Sequence, residues 1–192
     1  MHLILASTSS YRKKLLSRLQ LPFKQIHPDF EERRPGSMPA EQLVRFNTLG
    51  KAGSVLARYP DATVIASDQL AVCGKLVLGK PGNIDQACEQ LHLLSGRTVT
   101  FLTGLAVISS RTEHIEVIPF QVCFRTLSNA DIRTYVEAEL PLNCAGSFKS
   151  EGLGISLFEN MRGDDPTALI GLPLIRLSQW LKPLNLIRKH QL

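Results

Sequence analysis

Hydroxyl side chains run without interruption from Ser7 to Ser10, close to the start of the chain. The apolar residues before them predict a buried strand, and the leucines within 15–19 predict one face of a helix. Hydroxyls at a helix start cap its free N–H groups, and those groups also attract anions. Arg12 and Lys13 oppose the helix dipole at this place unless an anion binds. The stretch therefore predicts either a phosphate site or a capped surface helix with a basic face.

Asp68 is the sharpest single candidate for a catalytic group. It follows an apolar, β-rich run at 63–66, and functional residues often stand where such strands end. A carboxylate is a weak base near neutral pH, so a role as general base requires help from its surroundings or from a metal-bound water. The alternative is an aspartate that caps a turn after the strand.

Glu31 and Glu32 lie in a charged loop that is bounded by prolines. Carboxylate oxygens suit Mg²⁺ or Mn²⁺, which often bind one or two carboxylates together with substrate phosphates. The alternative is a solvated charge run in which these acids pair with the two arginines that follow them. The residues by themselves favour that alternative.

Two later segments could contact a nucleotide. Lys80 stands between Gly79 and Pro81 in a predicted turn, from which a lysine could reach a phosphate as a point charge. Glu151 lies in a segment of small residues, 144–154, and its carboxylate could accept hydrogen bonds from a base edge. Each has an ordinary alternative, because turns collect such residues and a surface loop would have the same composition.

Strand–helix units are predicted early in the chain, and two long β-type runs that should pair antiparallel come later. This order predicts an α/β fold with α+β character, in which helices flank a twisted mixed β-sheet. The length allows one domain or two small lobes that share a core, and the basic early part and the later part could flank a cleft. The predicted segments after the first helix are strands at 22–27 and 63–66, a helix at 39–58, a hairpin at 70–78, a helix between 83 and 96, strands at 98–109 and 115–124, a helix at 128–138 and a broken helix at 166–181.

Positive charge is concentrated in the first third of the chain. The 192 residues carry a net charge of +5, but residues 1–60 alone hold ten lysines and arginines against four acidic residues. Such an excess suits a polyanion, either a nucleotide polyphosphate or a nucleic acid. No RGG run or repeated aromatic platform is present, so a nucleic-acid groove is the weaker of the two hypotheses.

Hydropathy argues against a membrane partner. No apolar run approaches the roughly 20 residues needed to cross a bilayer. The first apolar run precedes the basic residues, which is the reverse of a signal peptide. We therefore expect a cytoplasmic protein.

The wide spacing of the cysteines, without a C-x-x-C pair, argues against a zinc site or a disulfide framework. It predicts buried free thiols at Cys73, Cys88, Cys123 and Cys144.

Short motifs along the whole chain resemble those of the Maf family of nucleoside triphosphate pyrophosphatases. The resemblance implies a Maf/ITPase-like fold, a single domain, 1–192, with two lobes around a nucleotide cleft. Any one motif would be weak, but their number and order make the resemblance specific. The segment CAGSFKSEG at 144–152, with Ser-Asp-Gln at 67–69 and Tyr11, is similar to the YceF-type subfamily, which is associated with 7-methyl-GTP. The other matching motifs are LILASTS at 3–9 with Arg12, Glu32, Gly-Lys-Pro at 79–81, Ser-Gly-Arg at 95–97, Thr-Gly at 103–104 and Gly-Leu-Pro-Leu at 171–174.

The resemblance implies roles for individual residues. Asp68 would accept a proton, with Lys80 as a second catalytic residue. Glu32 and Asp68 would hold a divalent metal cation, Mg²⁺ or Mn²⁺. The implied specificity residues are Tyr11, Gln69 and Glu151, and the implied substrate-binding residues are Ser7, Ser9, Arg12, Lys13 and Lys51.

The implied activity is hydrolysis of 7-methyl-GTP to 7-methyl-GMP and pyrophosphate, a housecleaning step in which water attacks the α-phosphate with help from the metal. An anionic Glu151 and a stacked Tyr11 would favour the methylated base, because N7-methylation gives guanine a positive charge. The alternatives are a pyrophosphatase for dTTP, UTP or other modified nucleotides, and a non-catalytic nucleotide-binding regulator of cell division. The oligomeric state is left open, with a homodimer as one option.

The chain departs from the family pattern at three positions. Lys13 stands where an arginine is commoner, which keeps the charge but loses bidentate geometry. The helix arginine that usually precedes Lys51 is displaced, because Phe46 takes its place and Arg45 comes one residue early, about 100° around the helix. These two departures would weaken phosphate binding. Thr98 in place of a usual histidine has no role that we can assign.

Overall fold

The computed structural model describes residues 2–36 and 38–184. Within these residues the chain forms seven β-strands, six α-helices and a short 3-10 helix. The strands are β1 (His2–Ala6), β2 (Lys24–Ile26), β3 (Ala62–Cys73), β4 (Leu76–Leu78), β5 (Thr98–Ile108), β6 (Glu113–Phe124) and β7 (Phe158–Arg162). The helices are α1 (Ser10–Ser17), α2 (Ala40–Arg58), α3 (Ile84–Leu94), α4 (Asn129–Glu139), α5 (Pro166–Ile170) and α6 (Leu174–Leu181), and the 3-10 helix is Leu153–Leu157.

All seven strands belong to one mixed sheet. The strand order is β2-β1-β3-β5-β6-β7, and β4 pairs with β3 outside this path. β1 runs parallel to both β2 and β3, whereas β4 is antiparallel to β3 and β7 is antiparallel to β6. The predicted α/β fold with a mixed sheet is confirmed, and the two long strands β5 and β6 are neighbours in it.

The described residues divide into two compact units. The first unit takes those within 1–69, 103–118 and 165–192, and the second takes those within 70–102 and 119–164. The helices α1, α2, α5 and α6 belong to the first unit, and α3 and α4 belong to the second. That the chain is one domain stays a prediction. In the part of the chain that the structure describes, no helix is long and apolar enough to span a membrane.

Apolar side chains of β1, β3, β5 and α2 form a core cluster in the first unit. The run at 3–6 is buried throughout, as predicted, because a strand with parallel neighbours on both sides is covered on both faces. The cluster fixes the two strands that carry the hydroxyl run and Asp68. Its buried members are Ile4, Ala6, Ala52, Val55, Ala62, Val64, Ala66, Ala106 and Ile108.

β3 is longer than the sequence predicted. The pattern indicated a strand at 63–66 that ends before Asp68, but β3 continues and Asp68 lies inside it. The neighbour β1 ends at Ala6, opposite Ala66, and β4 pairs with β3 only from Ala71 onward. The prediction of a strand end at 66 was therefore wrong, because the polar residues mark the end of pairing with β1 and not the end of β3.

Side-chain caps start several helices as the sequence predicted. The Ser9 hydroxyl caps α1, and the Asn83 side chain caps α3. Ser128 and Asp131 form a reciprocal capping box at the start of α4. β7 was missed, because its short run of mostly exposed residues shows no clear apolar alternation.

The cysteines are free thiols, in agreement with their spacing. Only Cys73 is buried, and the other three are half-buried, so the prediction of buried thiols is confirmed for Cys73 alone. Burial raises the pKa of the Cys88 and Cys144 thiols above its usual range.

Candidate active site

A buried ion pair joins Lys51 of α2 to Asp68 of β3. The Lys51 Nζ donates to Asp68 Oδ1 at 2.7 Å, and the two side chains are only 7% and 8% exposed. The same Nζ lies 2.5 Å from Glu32 Oε1, and the Glu32 side chain is 55% exposed. Two carboxylates, one buried and one open to solvent, therefore converge on one ammonium group.

The loop that carries Glu32 is fastened to α2 one turn before Lys51. The buried Asn47 accepts a hydrogen bond from the Arg33 N–H at 3.0 Å and donates one to the Arg33 carbonyl at 3.2 Å. Residues four apart share a helix face, so Asn47 and Lys51 hold two adjacent loop residues on the same side of α2. Instead of pairing within its own charge run, Glu32 is thus directed to Lys51. Asn47 had no predicted role, since a lone asparagine in a helix carries no signal of its partner.

Arg12, in the first turn of α1, brings a second cation to the same carboxylates. Its Nε donates to the Gly171 carbonyl at 3.0 Å, and its guanidinium also donates to Ser7 Oγ at 3.5 Å. Burial lowers the pKa of the guanidinium, whereas the negative charges of Asp68 and Glu32 raise it. Because arginine remains protonated in proteins, Arg12 is a permanent positive charge here.

Gly171, directly after α5, connects α1 with β3 through a single carbonyl. Its oxygen accepts hydrogen bonds from Arg12 Nε at 3.0 Å and from Ser67 Oγ at 2.8 Å. Gly171 has a φ of 113°, which residues with a side chain rarely adopt. The position of Arg12 therefore depends on a glycine. In the sequence this glycine is only part of the matching Gly-Leu-Pro-Leu motif, with no predicted role of its own.

Gln69, a predicted specificity residue, is anchored to α5. Its amide nitrogen donates to the Ala168 carbonyl at 2.8 Å and to the Leu169 carbonyl at 3.2 Å, and it lies 2.9 Å from Thr103 Oγ1. The Thr103 hydroxyl itself donates to the Ala168 carbonyl at 2.9 Å. The amide nitrogen of Gln69 is thus committed to holding α5 against β3 and β5.

The hydroxyl run at the start of α1 serves as a cap. Ser7 is buried, and its Oγ accepts a hydrogen bond from the Ser9 N–H at 3.2 Å. The Ser9 hydroxyl accepts one from the Arg12 N–H at 3.3 Å. Tyr11 and Lys13 are exposed on the first turn. A side-chain cap and a basic first turn therefore coexist at the start of α1.

Lys80 and Glu151 belong to the second unit. Lys80 is exposed in the loop after β4, and Glu151 is exposed in the turn before the 3-10 helix. Both influence the Cys144 thiol: burial is the main cause that raises its pKa, Glu151 adds to the rise, and Lys80 opposes it. These two candidate residues therefore share the surroundings of Cys144.

Glu139, at the end of α4, holds the segment that carries Glu151. Its Oε1 accepts a hydrogen bond from the Leu153 N–H at 3.1 Å, and its carbonyl accepts one from Lys149 Nζ at 2.5 Å. A side chain at Gly152 would overlap with the Glu139 carboxylate. Contacts on both sides of Glu151 thus fix its backbone. The sequence gave no signal for Glu139, because a glutamate late in a helix is ordinary.

The first unit brings several predicted site residues together. Two carboxylates and two cations meet there, so their formal charges cancel. Lys51, predicted to bind substrate, has its ammonium group between the two carboxylates. The predicted residues that meet in this cluster are Ser7, Arg12, Glu32, Lys51 and Asp68.

Oxygen ligands that suit a divalent cation converge in this cluster. Among the described residues, no group of three or more histidine, cysteine or acidic side chains could hold a metal ion. Glu32 and Asp68 nevertheless approach the same ammonium group, at 2.5 and 2.7 Å. Mg²⁺ is usually held by one or two carboxylates, with waters and substrate phosphates as its other ligands. The pair therefore fits such a cation when a phosphate is also present.

Curated relatives align with nearly the whole chain. The 7-methyl-GTP pyrophosphatase of Pseudomonas aeruginosa is 52% identical over 93% of this chain and 94% of the relative. The protein of the same name from Colwellia psychrerythraea is 49% identical over 94% of this chain and 91% of the relative. Among solved structures, the Staphylococcus aureus Ham1 protein covers 96% of this chain and 100% of its own, with a TM-score of 0.52.

The Ham1 protein is 14% identical in sequence, so this similarity concerns the fold alone. It agrees with the α/β architecture described above. The relatives at about half identity are evidence of a different kind, because they extend over more than nine-tenths of the chain. The family profile described as Maf-like protein matches residues 2–184, and the chain therefore belongs to the Maf family.

Proposed function

We propose that this protein is a nucleoside triphosphate pyrophosphatase that hydrolyses 7-methyl-GTP to 7-methyl-GMP and pyrophosphate. Relatives that are 49–52% identical carry the name 7-methyl-GTP pyrophosphatase, which supports this substrate. The observation that carries the proposal is the buried Asp68 carboxylate, bonded to Lys51 and close to Arg12. Hydrolysis of a phosphoanhydride needs a group that orients water, which Asp68 can supply, and cationic side chains near the phosphates, of which Arg12 is one.

Asp68 is the proposed acceptor for a proton of the attacking water. The water oxygen forms a bond to the α-phosphorus while the bond from that phosphorus to the α–β bridging oxygen breaks. Pyrophosphate leaves with the bridging oxygen, and the proton passes to Asp68 and then to solvent. Lys51 contributes by holding Asp68 Oδ1 at 2.7 Å, which fixes the orientation of the carboxylate.

Cationic side chains are proposed to neutralise the triphosphate. Arg12 and Lys13 lie in the first turn of α1, where the N–H groups of the helix also favour anions. Lys80, in its exposed loop, is proposed to act on the leaving pyrophosphate. A divalent cation held by Glu32 and Asp68, Mg²⁺ or Mn²⁺, would add positive charge that stabilises the transferred and leaving phosphates.

Glu151 and Tyr11 are proposed to recognise the base. N7-methylated guanine carries a positive charge that guanine lacks, so an exposed carboxylate attracts it more strongly. An aromatic ring such as that of Tyr11 adds cation–π attraction when the charged base stacks on it. Gln69 stays a predicted specificity residue whose amide nitrogen is already bonded to α5 carbonyls.

The Glu151→Gln variant is expected to lose discrimination between 7-methyl-GTP and GTP. The ratio of their kcat/KM values should fall about tenfold, because the amide keeps the shape and loses the charge. The matched control is Glu159→Gln, which removes an exposed negative charge from β7 and should leave the ratio unchanged. An unchanged ratio in Glu151→Gln would remove this residue from base recognition.

A substrate panel tests the proposed function directly. Pyrophosphate release is measured for 7-methyl-GTP, GTP, dTTP and UTP with Mg²⁺, with Mn²⁺ and after chelation. We expect the highest kcat/KM for 7-methyl-GTP, equal amounts of pyrophosphate and monophosphate, and loss of turnover after chelation. Preference for dTTP or UTP would support the broader pyrophosphatase instead. Salt-sensitive binding without turnover would support the non-catalytic regulator.

The cytoplasmic location and the option of a homodimer stay predictions from the sequence. Both can be examined on the same purified protein and its parent cells, by fractionation and by light scattering. Neither bears on the assignment of the cluster around Asp68.

A further inference from the structure

Arg33 stands out among the basic residues of the first unit because contacts hold both its side chain and its backbone. Its guanidinium carbon lies 3.9 Å from the centre of the Phe46 ring. Its backbone N–H and carbonyl both bond to the side chain of the buried Asn47, at 3.0 and 3.2 Å. Two consecutive residues of α2 therefore hold an exposed arginine of the preceding loop.

The Phe46 ring is itself supported by the loop. Phe30 and Phe46 have ring centres 5.9 Å apart with an angle of 50° between their planes. Phe30 in turn lies so close to Gly50 of α2 that a side chain there would overlap with its ring. Phe46 thus offers Arg33 a supported aromatic face. A guanidinium on such a face keeps its N–H donors at the edge of its own plane, where they can bind phosphate in bidentate fashion.

Arg33 is next to the cluster around Asp68. It directly follows Glu32, whose carboxylate lies 2.5 Å from Lys51 Nζ. Asn47, which binds the Arg33 backbone, is four residues, or about 6 Å along the helix axis, before Lys51 on α2. Chain connectivity and helix geometry both place the Arg33 backbone beside the residues proposed to act on the α-phosphate.

Arg33 differs from Lys51 and Arg12 in how far nearby carboxylates offset its charge. Lys51 and Arg12 are offset by Asp68 and Glu32, so these four side chains have no net charge for a triphosphate. Arg33 is exposed, and its side chain stacks on a neutral ring. The carboxylates of the cluster therefore do not neutralise the positive charge of Arg33.

We propose that Arg33 binds a phosphate group of the triphosphate and that Phe46 is the positioning residue that holds its guanidinium. The inference rests on the proposed function and deepens it. Stacking restricts the arginine before substrate arrives, so less side-chain freedom is lost when the phosphate binds.

The Arg33→Ala variant tests phosphate binding. We expect its KM for 7-methyl-GTP to rise about tenfold, and the inhibition constant for pyrophosphate to rise in parallel, because a charge-assisted bidentate contact is lost. Both constants of Arg33→Lys should lie between those of the native protein and those of Arg33→Ala, since lysine keeps the charge without the planar guanidinium. Arg111→Ala removes an exposed arginine from the turn between β5 and β6 and should leave both constants unchanged. Unchanged constants in Arg33→Ala, with normal folding, would overturn the inference.

A double-mutant cycle tests the positioning by Phe46. Phe46→Leu keeps an apolar side chain but removes the aromatic face, so it should raise KM in the native background and have no further effect in Arg33→Ala. An equal increase in both backgrounds would overturn the positioning role, because Phe46 would then act without Arg33.

Phosphate binding by Arg33 can be tested separately from the proposed function. If the native protein hydrolyses no nucleoside triphosphate, the proposed function fails, and calorimetric binding of inorganic tripolyphosphate still decides whether Arg33 holds phosphate. Weaker tripolyphosphate binding by Arg33→Ala than by Arg111→Ala supports the inference, and equal binding by the two variants overturns it.

Discussion

The Asp68→Asn variant is expected to hydrolyse 7-methyl-GTP with a kcat about a thousandfold below that of the native protein. A positioned general base typically contributes ~10²–10⁴-fold, and asparagine cannot accept the proton of the attacking water. The amide oxygen can still accept a hydrogen bond from Lys51 Nζ, which also keeps Glu32 as a partner. The variant should therefore fold. Pyrophosphate release at saturating substrate gives kcat, and a thermal unfolding curve verifies the fold.

Asp61→Asn is the matched control for this prediction. Asp61 is an exposed aspartate immediately before β3, so the substitution makes the same chemical change outside the cluster. Its kcat should remain within about twofold of the native value. Calorimetry should show that Asp68→Asn still binds the nucleotide. A folded Asp68→Asn protein with near-native kcat would exclude Asp68 as the proton acceptor.

The sequence identified Asp68 for a reason that the structure modifies. The apolar run at 63–66 indicated a strand that ends before the polar residues, but the strand continues through them. What ends near Asp68 is the pairing with β1, at Ala6 opposite Ala66. Pairing partners are set by residues far apart in the chain, so the pattern within one strand cannot show where its neighbour stops.

Lys51 illustrates a second limit of sequence analysis. Helical spacing predicted α2 within one residue of its observed start and put Lys51 inside it. The side chain is nevertheless buried, with one carboxylate partner in the loop before α2 and the other on β3. Helical periodicity identifies the elements well, because it depends on local spacing. Helical periodicity does not indicate which side chains, distant in the chain, contact the ammonium group of a lysine.

The departures around Phe46 show the same limit. The sequence placed Phe46 at a position usual for an arginine and predicted weaker phosphate binding. In the structure, the displaced Arg45 donates to the Ile115 carbonyl at 3.3 Å, whereas Arg33 stacks on the Phe46 ring. A substitution read in isolation indicates only a loss of charge. Folding brings another arginine to the same aromatic side chain, and the spacing of residues along the chain does not reveal this contact.

The Lys51→Met variant is expected to lose about 3–5 kcal/mol of the free energy of unfolding. Removal of one partner from a buried ion pair leaves the other charge without its hydrogen-bonded counter-ion in a poorly solvated place. Here the remaining charge is that of Asp68, whose side chain is 8% exposed. Methionine keeps most of the volume of the lysine stem, so lost packing contributes little. Urea unfolding measures the change, and hydrolysis should fall as well, because Asp68 loses the contact that orients it.

Two further variants separate the buried contact from the exposed one. Glu32→Gln should cost less than about 1 kcal/mol, because its side chain is 55% exposed and solvent already screens the pair. The Lys51→Met/Asp68→Asn double variant should be more stable than the sum of its single variants predicts, since it removes both charges of the buried pair together. Additive losses would contradict a direct contact between Lys51 and Asp68. A small loss in Lys51→Met alone would mean that Asp68 is better solvated than its burial in β3 implies.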